Sequence, residues 1–172
     1  MEDCGRIVYF TLRLAVVSNF IGTYECKADA KGRLMLPVGL KNQILPILSE
    51  GFVLKNHVSN DCLELYPRAE WDATMDRIKK RLNRNNPRHG KFLRKFLSGV
   101  RLIDLDNTGR LLIPKDLQTG AGITKELVLM CVFGTIEIWD KARYTAETGD
   151  SDIEDEAAEL LGDLNDDDDL LS

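Results

Sequence analysis

One nine-residue motif occurs twice in this chain. "DAKGRLMLP" occupies residues 29–37, and "DNTGRLLIP" occupies residues 106–114, 77 positions further on. The similarity extends to the flanking sequence, where "LELYPRAEW" is matched by the later "IEIWDKARY". Repeats of this length indicate related structural units, so we interpret the chain as two tandem copies near 20–71 and 97–144. Any fold must therefore accommodate the same short segment in two equivalent places.

Each copy has the pattern strand, turn, strand, short helix and β-hairpin. "TYECKA" alternates polar and apolar residues and "RLML" continues after a turn, which is typical of two strands. Pro37 and Pro114 suit the first position of a short helix, and "FVLKNHV", "CLELY", "LVLMCVF" and "IEIWD" predict the later strands. Four short strands cannot cover both faces of a sheet. We therefore predict a mainly β fold with short helices (α+β), in which the copies share one core and interleave their hairpins.

The spacing within the motif predicts a tight turn. An Asp side chain can accept a hydrogen bond from the backbone two residues later, and Gly tolerates the left-handed backbone that ends such a turn. The Arg that follows lies close enough to the Asp for an ion pair. In the first copy these residues are Asp29, Gly32 and Arg33, and in the second Asp106, Gly109 and Arg110. The motif is either a structural turn with a charge pair, or an Arg on a rigid β-ribbon that fits a DNA major groove.

The two copies differ in charge. Residues 20–41 contain four basic and two acidic residues, whereas residues 97–116 contain three of each, and the tip residue Lys31 corresponds to Thr108. If one copy contacts phosphate, we expect it to be the first. The candidate DNA-binding residues are Lys27, Lys31, Arg33 and Lys41.

Two helices are predicted between the copies. Trp71, Met75, Ile78 and Leu82 recur at helical spacing, and "RHGKFLRKFL" follows "NNP". Residues 77–95 contain nine Lys or Arg and no acidic residue. This segment is either a solvated helical linker or a surface that faces phosphate or a protein partner.

Charge is distributed unevenly along the chain. Of the 28 acidic residues, twelve follow Ala146, which leaves 16 acidic against 23 basic residues in 1–146. A basic body with an acidic tail is typical of proteins that meet a polyanion, although a soluble domain with a solvating tail has the same pattern. We expect residues 147–172 to be disordered apart from one weak helix.

The N-terminal segment does not match a membrane or secretory signal. "IVYFTLRLAVV" is too short to span a bilayer and contains Arg13, and its flanks lack the pattern of a signal peptide. We interpret residues 1–18 as an extension, which a start at Val17 through a GTG codon would remove. The remaining organisation is then a first repeat at 19–72, a basic linker at 73–96, a second repeat at 97–146 and the tail.

Neither catalysis nor metal binding is predicted. The two histidines and four cysteines lack metal-ligand spacing, and we interpret Cys4, Cys26, Cys62 and Cys131 as reduced thiols of a cytosolic protein. The duplicated Asp invites comparison with aspartic proteases, but there Asp is followed directly by Thr or Ser and then Gly, whereas here Gly comes three positions after each Asp. The Arg next to that Gly would also oppose the sharing of a proton. We expect no enzyme activity, cofactor or small-molecule substrate.

The duplicated "ADAKGRLMLP" and "LDNTGRLLIP", each followed by a strand pair and separated by a basic helical linker, resemble the MraZ family of bacterial transcriptional regulators. The resemblance covers residues 20–144. It implies a double-split β-barrel of the AbrB type, with swapped hairpins, formed by one chain. It further implies a homo-oligomeric ring of about eight or more subunits, cytoplasmic and nucleoid-associated.

The resemblance also implies function. The protein would repress the division and cell-wall gene cluster by binding short tandem repeats in double-stranded DNA upstream of its own gene. Arg33 would be the essential motif residue beside Lys31, oriented by Asp29, while Asp106 and Arg110 form a more structural copy. The alternatives are an AbrB-like antitoxin, or a ring-forming interaction module that binds protein or RNA.

Overall fold

The computed structural model describes residues 20–149 and 153–161. The predicted extension at 1–18 and most of the predicted disordered tail, residues 150–152 and 162–172, lie outside the described residues. The described residues up to Lys141 form one compact unit, and those from Ala142 onward form a second.

The predicted strands and helices form in both repeats. The first repeat contains β1 (Thr23–Lys27), β2 (Arg33–Met35), α1 (Val38–Ile44), a 3-10 segment (Leu45–Glu50), β3 (Phe52–Asn56) and β4 (Leu63–Pro67). Helices α2 (Arg68–Arg81) and α3 (Pro87–Leu97) follow. The second repeat contains β5 (Arg101–Ile103), β6 (Arg110–Leu112), α4 (Lys115–Gly120), β7 (Glu126–Val132) and β8 (Thr135–Asp140). Two further helices complete the described chain: α5 (Lys141–Thr148), which belongs to the second unit from Ala142 onward, and α6 (Ile153–Leu161), which lies entirely in that unit.

The two repeats exchange strands. A six-stranded antiparallel sheet has the order β1-β7-β8-β4-β3-β5, so the first strand of each repeat pairs with the third strand of the other. The motif strands β2 and β6 pair with each other in a separate two-stranded ribbon, with Leu34 opposite Leu111. The predicted interleaving of hairpins is therefore confirmed, and so is the AbrB-like α+β fold built from tandem repeats.

A single apolar core joins the two sheets. Leu34 and Leu111 are fully buried at the centre of the ribbon, and Leu40 and Leu117 cover the core from the equivalent helices α1 and α4. Burial of each leucine side chain contributes about 1.5–3 kcal/mol relative to exposure. Neither repeat could enclose this core alone, because each supplies only half of both sheets.

The linker helices pack on the outer face of the large sheet. The Trp71 ring on α2 stacks on Phe96 of α3 with centroids 6.1 Å apart, and meets Tyr66 of β4 edge-on at 5.5 Å. Helix α3 begins with Pro87 after an Asn86 cap, whose side chain accepts hydrogen bonds from the backbone of Arg88 and His89. These contacts form a second, smaller core on the first-repeat side of the sheet.

A buried ion pair lies beneath these helices. The Lys55 ammonium is 2.5 Å from the Glu64 carboxylate, and the two side chains are only 1% and 14% exposed. The ammonium also lies 4.7 Å from the centre of the Phe96 ring, where a cation is attracted to the π system. Tyr66 donates a hydrogen bond to the other Glu64 oxygen at 3.1 Å. Through its contact with Phe96, Lys55 links the sheet to α3.

Within the described residues, no helix is long and apolar enough to cross a membrane. Cys26, Cys62 and Cys131 are free thiols, while Cys4 lies outside the described residues. Cys62 is almost completely buried. Its burial, together with the nearby Glu137 and Glu64, raises the pKa of the thiol to about 12.

Candidate nucleic-acid interface

The first motif hairpin is closed by the side chain of Asp29. One carboxylate oxygen accepts hydrogen bonds from the backbone N–H of Lys31 and of Arg33, both at 2.9 Å. The other oxygen accepts from the Arg33 Nε at 2.8 Å. Gly32 has a φ of +80°, in the left-handed region. Asp29 thus shapes the turn and orients the guanidinium.

The second hairpin repeats this geometry. Asp106 accepts hydrogen bonds from the Arg110 backbone at 3.0 Å and from the Arg110 Nε at 2.9 Å, and Gly109 has a φ of +78°. In both hairpins the Asp side chain is 40% exposed and the Arg side chain is 34% exposed. One contact is additional: the Thr108 hydroxyl donates to the Asp106 carboxylate at 2.6 Å. The motif therefore encodes one local structure in both places.

Both carboxylates are stabilised in the ionised form. A hydrogen bond from the Arg33 backbone is the largest cause that lowers the pKa of Asp29. The Thr108 hydroxyl is the largest cause that lowers the pKa of Asp106, followed by the Arg110 backbone. A hydrogen bond to a carboxylate favours its charged form. Each Asp therefore remains an anion at neutral pH and keeps its Arg in place.

The outward face of the ribbon presents both arginines together. Arg33 pairs across the ribbon with Leu112, and Met35 pairs with Arg110. Met35 and Leu112 are about half exposed, at 51% and 50%. Since each Nε is engaged by its own Asp, the terminal nitrogens of both guanidiniums have no protein partner among the described residues and can donate to a ligand.

Each hairpin lies against the helix of the other repeat. A Cβ built on Gly32 would lie 1.8 Å from the Gln118 Nε2 of α4, and Gln118 donates to the Ile113 carbonyl at 2.6 Å. A Cβ built on Gly109 would lie 2.7 Å from the Lys41 Nζ of α1. Gln118 and Lys41 occupy equivalent repeat positions, 77 residues apart. Lys41, counted with the first hairpin by sequence, therefore lies at the second.

Lys125, which the sequence did not single out, lies near the first hairpin. Together with Asp29, Ala30 and Gln118 it lines an open cleft of about 530 Å³, and its carbonyl accepts a hydrogen bond from the Ala28 backbone at 2.9 Å. Linear alignment conceals this proximity, because Lys125 belongs to the second repeat. Only the exchange of strands brings it to the first motif.

The other predicted site residues occupy different positions. Lys31 is exposed at the tip of the first turn, close to Arg33. Lys27 lies on β1, and its ammonium is 3.2 Å from the Glu126 carboxylate of the neighbouring strand. The structure therefore groups Lys31 and Arg33 with Asp29 and Gly32, while Lys27 forms an ion pair on β1 that is open to solvent.

The basic linker has partners for part of its charge. Arg77 pairs with Glu70 at 3.0 Å, and Lys79 with Asp76 at 3.5 Å. These pairs favour the solvated-linker interpretation for α2. Among the described residues there is no group of three His, Cys, Asp or Glu side chains that could hold a metal ion.

Comparison with known proteins gives consistent matches. The profile of the family described as "MraZ protein, putative antitoxin-like" matches residues 19–95 and again residues 96–162. A transcriptional regulator MraZ of Flavobacterium psychrophilum is 52% identical over 153 residues, which cover 88% of this chain and 97% of that protein. Its counterpart in Christiangramia forsetii is 50% identical over 90% of this chain and 99% of its own length. A more distant MraZ from Clostridium tetani is 35% identical over 84% of this chain and 98% of its own length.

Proposed function

This chain belongs to the MraZ family of transcriptional regulators, and we propose that it is a sequence-specific repressor that binds double-stranded DNA. Its targets on this proposal are short tandem repeats upstream of its own gene, from which it controls the division and cell-wall gene cluster. The protein then acts in the cytoplasm on the nucleoid. The relatives' names support the regulatory role, and the geometry of the ribbon supports the mode of binding.

The observation that carries the proposal is the pose of Arg33. Its Nε is held by Asp29 at 2.8 Å, while its terminal nitrogens make no hydrogen bond or ion pair within the described residues. A guanidinium held in this way donates two parallel hydrogen bonds to a phosphate or to a guanine edge with little loss of side-chain entropy. A two-stranded ribbon also has the dimensions of an element that enters a major groove.

We further propose that the protein acts as a homo-oligomeric ring. One ribbon presents only a few cationic groups, so a single subunit binds DNA weakly. Several identical ribbons on tandem repeats raise the effective concentration of each later contact, which multiplies the affinity without new interactions. Binding should then weaken steeply with salt and with fewer repeats.

The family resemblance also leads us to assign roles along the chain. In this assignment residues 19–72 and 97–146 are the two functional repeats, and residues 73–96 are the linker between them. Lys27, Lys31, Arg33 and Lys41 contact DNA. Asp29, Gly32, Asp106, Gly109 and Arg110 hold the motif in shape.

The test is a footprint and a gel shift with the DNA upstream of its own gene. We expect wild type to protect tandem repeats and Arg33→Ala to lose about 5- to 150-fold in affinity, since one good guanidinium contact contributes about 1–3 kcal/mol. Arg68→Ala is the matched control, because Arg68 also pairs with an Asp four residues along, at 3.2 Å, but lies on α2. Binding by Arg33→Ala at wild-type strength would refute the site. Failure of wild type to bind would favour an interaction module.

A further inference from the structure

We propose that the second hairpin also contacts the DNA backbone and that Lys41, from the first repeat, supplies the cationic group missing from its tip. This inference rests on the proposed function and deepens it, because it gives Arg110 a contact with DNA in addition to its role in holding the motif in shape. In this view the protein grips DNA with two comparable hairpins, each completed by the opposite repeat.

The first support is that Arg110 is as available as Arg33. Each guanidinium is held by the Asp of its own turn, the two Arg side chains are equally exposed, and both lie on the same face of the ribbon. A purely structural Arg would be expected to use more of its five donors within the protein. Arg110, like Arg33, uses only its side-chain Nε in the described contacts.

The second support is the course of the chain after β2. Because β2 pairs with β6, helix α1 leaves the ribbon beside the second turn rather than the first. Lys41 lies in the last turn of α1, and its ammonium reaches the Gly109 backbone. Within the described chain this ammonium has no hydrogen-bond or ion-pair partner, although Asp106 is in the same turn. Both Asp106 oxygens already accept hydrogen bonds from Thr108 and Arg110.

The third support is the exchange of residues between equivalent positions. The first hairpin has Lys31 at its tip and faces Gln118, whereas the second has Thr108 at its tip and faces Lys41. Each turn thus has one Arg and one lysine in direct association with it, Lys31 at the first tip and Lys41 against Gly109 of the second, while Lys125 lies further along the cleft beside the first hairpin. The sequence of the second copy alone lacks a lysine at its tip. A phosphate approaching either turn meets the same pair of cationic groups.

The experiment removes this charge and then returns it at chosen places. We expect Lys41→Gln, which copies the residue at position 118, to weaken binding to the upstream duplex about tenfold and to reduce the slope of log affinity against log salt by about 0.9 per lost phosphate contact. Thr108→Lys should restore both in the Lys41→Gln background, because it places the charge at the same turn. Gln118→Lys should not, because it adds the charge at the first turn. The melting temperature is measured for every variant.

Each other outcome is informative. Unchanged affinity and salt slope for Lys41→Gln, with wild type bound, would overturn this inference and leave the proposed function standing. Equal rescue by Gln118→Lys, or rescue by neither variant, would also overturn it. If Lys41→Arg is as impaired as Lys41→Gln and both melt at lower temperature, Lys41 serves packing and the inference fails. Absence of binding by wild type would overturn the proposed function and this inference together.

Discussion

The two motif hairpins are nearly identical, whereas the surroundings of the two repeats are not. Asp29 and Asp106 make the same hydrogen bonds to the same relative atoms, at distances within about 0.1 Å of each other. The residues that pack on the two turns are different: the neutral Gln118 lies against the first turn, and the cationic Lys41 lies against the second. Local turn chemistry therefore preserves a duplicated structure, and differences arise where one repeat meets the other.

The outer face of the sheet is equally asymmetric. Glu64 and Glu137 lie directly opposite each other on β4 and β8. Glu64 is compensated by Lys55 and Tyr66, whereas Glu137 accepts a hydrogen bond from the Trp139 indole at 2.8 Å. Two carboxylates that face each other across a sheet repel. Each repeat stabilises its own carboxylate with a different hydrogen-bond donor.

The largest expected effect concerns this face. We expect Lys55→Ala to destabilise the protein by about 3–5 kcal/mol, because it leaves the buried Glu64 carboxylate without its counter-charge. Met130→Ala is the matched control, since Met130 pairs with Glu137 across the sheet and is only partly buried. Urea unfolding monitored by tryptophan fluorescence measures both. If Lys55→Ala lowers the free energy of unfolding by no more than Met130→Ala does, the ion pair does not hold the linker helices.

The next effect compares the two turn glycines. Alanine at Gly109 must adopt a left-handed φ, at a cost of about 1–2 kcal/mol, but the Lys41 side chain that it meets can move. Alanine at Gly32 has the same backbone strain and also approaches the Ile113 carbonyl to 2.8 Å, and backbone cannot yield as easily. We therefore expect Gly32→Ala to be the more destabilising of the two in thermal unfolding. The reverse order would mean that the first hairpin adjusts more readily than its packing indicates.

The sequence predicts the parts of this structure that depend on contacts between residues close together in the chain. The Asp, Gly and Arg of each motif predict the turn and the charge pair, because those contacts span only four residues. It also predicted that the repeats interleave, from the inability of four strands to form a core. It did not place Lys41 at the second turn or Lys125 at the first, because alignment assigns each residue to its own repeat. The buried Lys55–Glu64 pair was also missed, since alternation marks those positions as an exposed face.

The smallest effect distinguishes the two motif carboxylates. We expect Thr108→Val to raise the pKa of Asp106 toward the ordinary value of an Asp, because it removes the hydroxyl that most strongly lowers that pKa. An Asp with a folded pKa below the unfolded value of about 3.9 adds stability above that pH, and loses it as the pH falls through the folded pKa. Thr108→Val should therefore reduce this contribution at neutral pH. Carbon-detected NMR titration measures the pKa, and Thr119→Val serves as a control at a hydroxyl that donates to the Lys115 carbonyl instead.

The exchange of strands also affects how the protein is made. Strand β1 cannot pair until β7 has been synthesised, about a hundred residues later in the chain. Pairings between such distant segments form slowly. During synthesis the first repeat leaves the ribosome with both sheets incomplete and with strand edges exposed, a state prone to aggregation. Helices α2 and α3 then act as a tether that keeps the second repeat nearby, so the halves meet within one chain instead of searching for each other in solution. Because both repeats belong to one chain, their pairing is an intramolecular step that does not depend on protein concentration.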